Sequence, residues 1–535
     1  MLVYSQKSFL IVDDFTDFRT SVRSMLREMG IRDVDTAESG ETAIRMCGQK
    51  RYDFILHDFH LGDGKKNGQQ VLEDLMIDKL ISHEAIFVMV TAESSQAVVL
   101  SALEHEPDAY LTKPFNRLGL TQRLDKLVQR KTLLKPILQA LDRGRPAEVL
   151  LACDNLCKQD PRFAPLCLRY RADALGALNR HEELERFLKA ILANRPTPWA
   201  YAALGKLLFK RGQAVQAKEI YEQAIKAFSM MPGLYDGLAD VLAAAGETRR
   251  AQSVLEEAVR LSPLAVRRQM QLGKLALGNA DFDTSSRAYR QAVSQGQNSR
   301  FKDPESNLGL AQALIQKNVG NGLDARTRVE LNQVLGDVAK EYTDDQGLQV
   351  RARLIKATGL AQAGDAETAA KLTEAAVARL ENMDQFFSAE TALAVAAQLQ
   401  QLGQEAAGTA ILKNCVEVYG DDASVMQSIA KLTDDPTILG AGNEAVDLNR
   451  QGVRSYQAGK VGEALEQFRR ALALQPKNIS IALNTVQALL RMAGENPSSA
   501  ALEECRACLA KVAGIPNTDP RYERYRKLRI RAVGS

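Results

Sequence analysis

The chain has 535 residues, 45% of them hydrophobic and 25% charged, with a formal net charge of +3. That length calls for several domains or a repeat array. The 16 Pro and 35 Gly are too few for a collagen-like or disordered protein, and abundant Ala, Leu, Gln, Glu, Arg and Lys beside 6% aromatics argue against an all-β or disulfide-rich secreted fold.

No stretch approaches the roughly 20 apolar residues of a membrane helix. The start MLVYSQKSFLIVDD reaches two carboxylates too early for a signal peptide. A cytoplasmic protein without membrane contact is expected. Its 7 Cys are sparse; Cys153 and Cys157 lie one helical turn apart and Cys505-x-x-Cys508 has no second pair. Small buried thiols are a better account of them than a metal site. Charge is uneven. Residues 1–130 carry 16 Lys and Arg against 20 Asp and Glu, leaving 53 against 46 for the rest.

In chain order, the runs 8–12, 32–37, 53–57, 85–90 and 108–112 read as strands, and 15–29, 40–50, 68–80, 94–105 and 115–130 as helices, with Gly30 and Gly48 at helix stops. Alternating strands and helices predict a parallel sheet covered on both faces. Asp13 and Asp14 follow the first strand, Asp58 the third, Thr91 ends the fourth, and Lys113-Pro114 follows the fifth. In the strand order 2-1-3-4-5 the first and third strands are neighbours. The three carboxylates then meet at the carboxyl edge, where such sheets bind ligands. They repel unless a cation lies among them, and hard oxygen ligands suit Mg2+.

Asp13-Asp14, Asp58, Thr91-Ala92, Tyr110 and Lys113-Pro114, in that order and at strand ends, make residues 1–130 resemble a response-regulator receiver domain of two-component systems, a flavodoxin-like α/β fold. The resemblance implies that Asp58 accepts a phosphoryl group from a histidine kinase or phosphotransfer protein in a Mg2+-dependent reaction. Asp14 and Asp58 would bind the ion directly, Asp13 through water, with the backbone carbonyl of His60 as a further ligand. Lys113 would neutralise phosphoryl oxygens, Thr91 would donate its hydroxyl to one, and Tyr110 would follow inward as part of the switch. The Lys113–Pro114 bond would be cis. One departure stands out: Gly62 occupies the position where most receivers have Pro, with about two extra residues before Gly68. His60 and Glu93 sit where side chains bear on access of water to the phosphoryl group.

Beyond residue 130 a period of 34 begins. With Pro198, Pro232 and Val266 at position 1, position 8 is Gly205, Ala239 and Gly273, position 20 is Ala217, Ala251 and Ser285, position 24 is Tyr221, Leu255 and Tyr289, and position 27 is Ala224, Ala258 and Ala292. Small residues at 8, 20 and 27 let paired helices approach closely. This resembles the tetratricopeptide repeat (TPR) and implies an all-α superhelix over 131–535, about nine helix pairs, with irregular segments at 299–349 and 420–444. Its concave face would take an extended or helical protein segment. Trp199, Lys206, Phe209 and Lys210 are candidate lining residues in one repeat, and Asp236 and Asp240 in the next.

No phosphate-binding Gly-rich loop, nucleophile elbow or HExxH occurs. No enzyme activity is expected beyond the receiver's own phosphorylation and dephosphorylation. The expected function is a response regulator whose TPR array makes switchable protein contacts, with a homodimer left open. The alternatives are a transcriptional regulator touching DNA, or a phosphate sink localised by its array. A +7 spread over some 400 residues is no nucleic-acid footprint, and the basic tail RYERYRKLRIRAVGS reads as a solvated capping helix.

Overall fold

In the computed structural model, Ser8–Val12, Asp33–Ala37, Phe54–Asp58, Ile86–Thr91 and Ala109–Thr112 form strands β1 to β5. The structure describes residues 4–62, 64–92, 107–381, 386–440, 442–494, 498–517 and 519–533. Glu93, His105 and the helix expected over 94–105 lie outside them. Every residue of β1, β3 and β4 is buried, as near-continuous apolar strands in a doubly covered sheet must be. The sheet is parallel in the order β2-β1-β3-β4-β5, the flavodoxin-like arrangement.

Period-two alternation assigns the two faces. Leu10, Val12 and Ile55 meet Ala43, Cys47, Val71 and Leu75 of helices Gly40–Gln49 and Gly68–Ile77. Phe9, Ile11 and Phe54 meet Val22, Leu26, Leu120 and Leu124 of helices Thr16–Glu28 and Arg117–Asp142. Phe9 and Phe54 are register partners across β1 and β3 and stack at 4.3 Å. Gly30 ends its helix with φ of 83°. Gly48, expected at a helix stop, lies inside the last turn of Gly40–Gln49, and the chain turns extended only at Lys50.

The helix expected over 115–130 continues to Asp142, because its apolar spacing does. Leu120, Leu124 and Leu127 pack on the sheet. Leu134, Ile137 and Leu138 pack instead with Val149, Cys153 and Cys167 of the first helical hairpin. One helix thus serves two cores, with no linker between them.

The chain packs into two compact units, Met1–Leu310 and Ala311–Ser535. In the first, helix pairs follow one another, and three of them share the 34-residue spacing: Pro198–Lys210 with Ala214–Ala227, Pro232–Ala244 with Thr248–Leu261, and Val266–Gly278 with Phe282–Gly296. The positions expected to be small are buried: Ala217, Ala224, Ala251, Ala258 and Ser285 are fully enclosed. The Tyr221 ring lies against Gly205 of its own pair and Gly237 of the next, where a Cβ would come within 2.6 Å and 2.3 Å of ring atoms. Tyr289 repeats this against Gly273 and Gly309. A large ring filling the space over two glycines is how adjacent hairpins close without a void.

In the second unit the same relation recurs where Phe468 covers Gly452, and helix pairs include Gln346–Gln362 with Ala366–Glu381, Ala389–Gln401 with Glu405–Tyr419, Asn443–Gln457 with Val461–Leu474, and Ile479–Ala493 with Ser499–Lys511. The segment 420–444, expected as loop, holds two short helices, Ala423–Ile429 and Pro436–Leu439. Each is started by an Asp whose carboxylate accepts backbone N–H bonds, Asp422 from Ser424 and Val425, and Asp435 from Thr437. The tail forms helix Tyr522–Val533, which buries Tyr525, Leu528 and Ala532. Among the described residues no helix is long and apolar enough to cross a membrane. All seven cysteines are free, and six are buried.

Candidate functional site

Backbone hydrogen bonds of the sheet bring the site together. Asp13 N donates to Ala37 O, Phe59 N to Val90 O, and Lys113 N to Thr91 O. The residues just beyond β1, β3 and β5 are thereby aligned at one carboxyl edge. Lys113 Nζ lies 2.6 Å from Asp13 Oδ2 and 2.9 Å from Asp58 Oδ2, bridging the two carboxylates. Asp13 is wholly buried; its other oxygen accepts from Phe15 N at 2.9 Å. Asp58 is buried and Asp14 half-buried.

Burial pushes the Asp58 carboxyl above its usual range; Lys113 pulls it back and Asp13 adds to the rise. Burial alone would lower Lys113, but its bonds to Asp13 and Asp58 outweigh that and keep the ammonium charged. The site therefore holds a fixed cation against one side of the phosphoacceptor candidate. One oxygen from each of Asp13, Asp14 and Asp58 lies within 4.8 Å of the others, the one such three-residue group among the described residues. Asp14 Oδ1 is buried without a partner there. An unpartnered buried carboxylate oxygen in an all-oxygen donor set fits a hard divalent cation such as Mg2+. His60, two residues after Asp58, is exposed.

Thr91 is buried at the end of β4. Tyr110 is half-buried against the cluster of Leu10, Val12 and Met89, and its hydroxyl has no partner among the described residues. Burial raises its pKa. The Lys113–Pro114 bond is cis. Gly62 has φ of 94°, a conformation closed to proline, whose ring holds φ near −65°. That accounts for the departure at this position. Gly68 is confined as well: a Cβ would lie 2.5 Å from Met89 Sδ and 2.8 Å from Asp58 O.

Three neighbours were not singled out from sequence. The Phe18 ring faces Lys113 Nζ at 4.0 Å, and Arg19 donates to Asp13 O at 2.5 Å. Their place one turn into the helix after the acidic pair was the available signal. His57 is fully buried, with Nδ1 2.6 Å from Asp58 O, its ring stacked on Phe87, and burial holding its pKa down at about 4. Nothing local separates it from a core apolar residue.

The response regulator receiver domain family matches residues 9–125, from β1 into helix Arg117–Asp142. The same region is 31% identical over 121 residues to chemotaxis protein CheY-3 of Vibrio cholerae serotype O1, covering 23% of this chain and 91% of that protein. The chain belongs to the response regulator receiver family. Its receiver domain is also 29% identical over 121 residues to chemotaxis protein CheY of Pseudomonas aeruginosa, with 23% and 95% covered. Among solved structures, the receiver domain of a sensor histidine kinase from Pseudomonas aeruginosa PAO1, described with a magnesium ion in its active site cleft, is 27% identical. It covers 23% of this chain and 98% of that one, with a TM-score of 0.21.

The candidate lining residues of the helical pairs fall far from the receiver edge in sequence. Lys206 and Lys210 are exposed, and Trp199 and Phe209 half-buried. Asp236 and Asp240 are engaged between hairpins. Asp236 takes both oxygens to the buried Arg268, at 2.7 and 2.6 Å, and Asp240 accepts from Gln271 at 2.6 Å. Asp236 is thus held between hairpins by a buried partner, and Asp240 remains exposed beside its one bond.

Proposed function

We propose that the protein is a phosphorelay response regulator in which Asp58 accepts a phosphoryl group from a histidine kinase or phosphotransfer protein. The observation that carries this is Lys113 Nζ bridging Asp13 and Asp58 beside the unpartnered Asp14 oxygen. An Asp58 carboxylate oxygen attacks phosphorus, the P–N bond of the donor phosphohistidine breaks, and the imidazole leaves with the electron pair. Lys113 supplies a fixed point charge to the phosphoryl oxygens, and Thr91 and Tyr110 respond to them. Asp14, Asp58, Asp13 and the His60 carbonyl would hold Mg2+, which when bound would neutralise phosphoryl charge.

The helical region is proposed as a TPR array that binds a protein segment. The 34-residue period, the buried small positions and the Tyr221 and Tyr289 rings closed over paired glycines support this. Trp199, Lys206, Phe209 and Lys210 present an aromatic and cationic strip suited to an acidic segment. Phosphorylation at Asp58 is proposed to switch that contact, in a cytoplasmic protein.

Labelling with radioactive acetyl phosphate and Mg2+ tests the chemistry. The wild type takes up alkali-labile label, and Asp58→Asn takes up none; label retained by the variant overturns the assignment. Pull-down with wild type, Asp58→Asn and Lys206→Glu/Lys210→Glu forms tests the array. The charge-reversed form is expected to lose its partner.

A further inference from the structure

The receiver touches the helical pairs at a second place, far in sequence from the shared helix. Lys66 Nζ donates to Asn298 O at 2.7 Å, and Gln70 Nε2 to Gln295 O at 3.2 Å. Arg300 pairs with Asp78 at 2.9 Å and approaches Asp74 at 3.7 Å. Asp74 is buried and also pairs with Lys66 at 2.9 Å. Leu264, between the second and third 34-residue pairs, packs against the receiver cluster that contains Val71 and Leu75. Around Leu264 the contact is made by polar side chains, and it borders a half-open cleft of about 200 Å³ between Gln69, Glu73, Arg267 and Phe301. Such a contact can open and close, unlike a dry core.

What meets the array here is the segment that leaves Asp58. Gly68 N donates to Phe59 O at 2.9 Å, so the loop from 59 to 68 is tied back at its far end. Gly68 is wedged against Asp58 O, Met89 and His57 without room for one methyl group. Asn67 and Gln70 form a reciprocal cap at the helix start, and Gln70 itself reaches Gln295. A displacement of Asp58 O would therefore meet Gly68 directly, two residues before Gln70.

We propose that residues Lys66 to Asp78 are a latch holding the receiver on the turn at Gln295–Arg300, and that phosphorylation of Asp58 loosens it. This rests on the phosphoacceptor reading and adds to it a route of output. The latched arrangement is formed with Lys113 bridging Asp13 and Asp58. A phosphoryl group on Asp58 adds bulk and charge at the one end of the segment that is tightly packed. Coupling of this kind is reciprocal, so weakening the latch strengthens binding of a phosphoryl mimic, by at most the coupling factor.

The test uses the full chain with beryllofluoride and Mg2+, following bound fluoride by 19F NMR and backbone hydrogen exchange over 295–303 and 64–70. Exchange at both segments is expected to rise by about fivefold or more when bound fluoride appears, the lower end of usual coupling factors. Lys66→Met with Arg300→Met is expected to raise exchange there without the mimic and to tighten mimic binding. Bound fluoride with unchanged exchange at 295–303 overturns the latch and leaves the phosphoacceptor reading standing. No bound fluoride at all removes the phosphoacceptor reading, and the latch with it. The wild-type arm decides even if the double variant does not fold.

Discussion

Tyr221 closes over Gly205 so tightly that a Cβ at residue 205 would lie 2.6 Å from two ring carbons. The ring fills the space between helix Pro198–Lys210 and its partner, and its hydroxyl donates to Ala202 O at 3.3 Å. Gly205→Ala is therefore expected to destabilise the protein by about 1–3 kcal/mol through overpacking. Gly233→Ala, also helical but with nothing within 4 Å of the added Cβ, should instead stabilise by about 0.5–1 kcal/mol. Urea midpoints of the two variants should move in opposite directions. A shift of Gly205→Ala toward stability would refute the packing account.

Lys113 neutralises two carboxylates, one of them wholly inaccessible. Lys113→Met leaves a like-charged buried pair, a change that costs roughly 3–5 kcal/mol when a partner is removed from a buried ion pair. Mg2+ should restore much of that loss. Thermal midpoints titrated with Mg2+ are expected to rise more steeply in the variant than in wild type, and parallel titrations would contradict the shared site.

The proline that most receivers carry after the phosphoacceptor cannot be restored here. Gly62 has φ of 94°, and forcing an L-residue into that region costs about 1–2 kcal/mol. Gly62→Ala should be destabilised by that order, and Gly62→Pro by more, as read from chemical denaturation. An unchanged Gly62→Pro midpoint would show that the loop backbone is free to rearrange.

Arg268 is almost completely buried and grips Asp236 with two bonds while donating to Ser262 O at 3.2 Å. Asp236→Ala strands that guanidinium and is expected to cost about 3–5 kcal/mol. Asp236→Ala with Arg268→Met should recover a large part of it. A double-mutant cycle on denaturation midpoints measures the coupling, and additive losses would show the pair to be independent.

Hydrogen bonds from Ser424 lower the pKa of Asp422. A depressed carboxyl contributes stability above its unfolded value, near 3.9, and loses it as pH falls through the lower folded value. Wild type should lose more stability than Asp422→Asn on acidification across that window, because Asn keeps a cap acceptor without titrating. Equal slopes in the two proteins would assign the acid sensitivity elsewhere.

Much of the receiver was legible because its signals are local. Strands buried on both faces are unbroken apolar runs, so Phe9–Val12 and Phe54–His57 announce themselves, and the first polar residue after each marks the strand end. The 34-residue period was legible for the same reason: Gly205 and Gly273, or Tyr221 and Tyr289, recur at fixed spacing. The end of the helix begun at 115 was less legible, because its apolar spacing continues past 130 from the sheet to the first hairpin. The short helices in 420–444 were hidden by Pro436 and Gly440, although Asp422 and Asp435 were available as cap signals.

The sequence by itself determined the five strands and the paired helices of the 34-residue repeat, the sheet's polar edge with Asp13, Asp14, Asp58, Thr91 and Lys113, and the small positions of the hairpins, because periodicity and strand ends are properties of neighbouring residues. Only the tertiary structure decided that Phe18 backs Lys113, that Asp236 belongs to Arg268, and that Lys66 and Gln70 reach the turn at 295–300. Those relations join residues tens to hundreds of positions apart. They depend on which surfaces the packing brings face to face, and no local pattern encodes that.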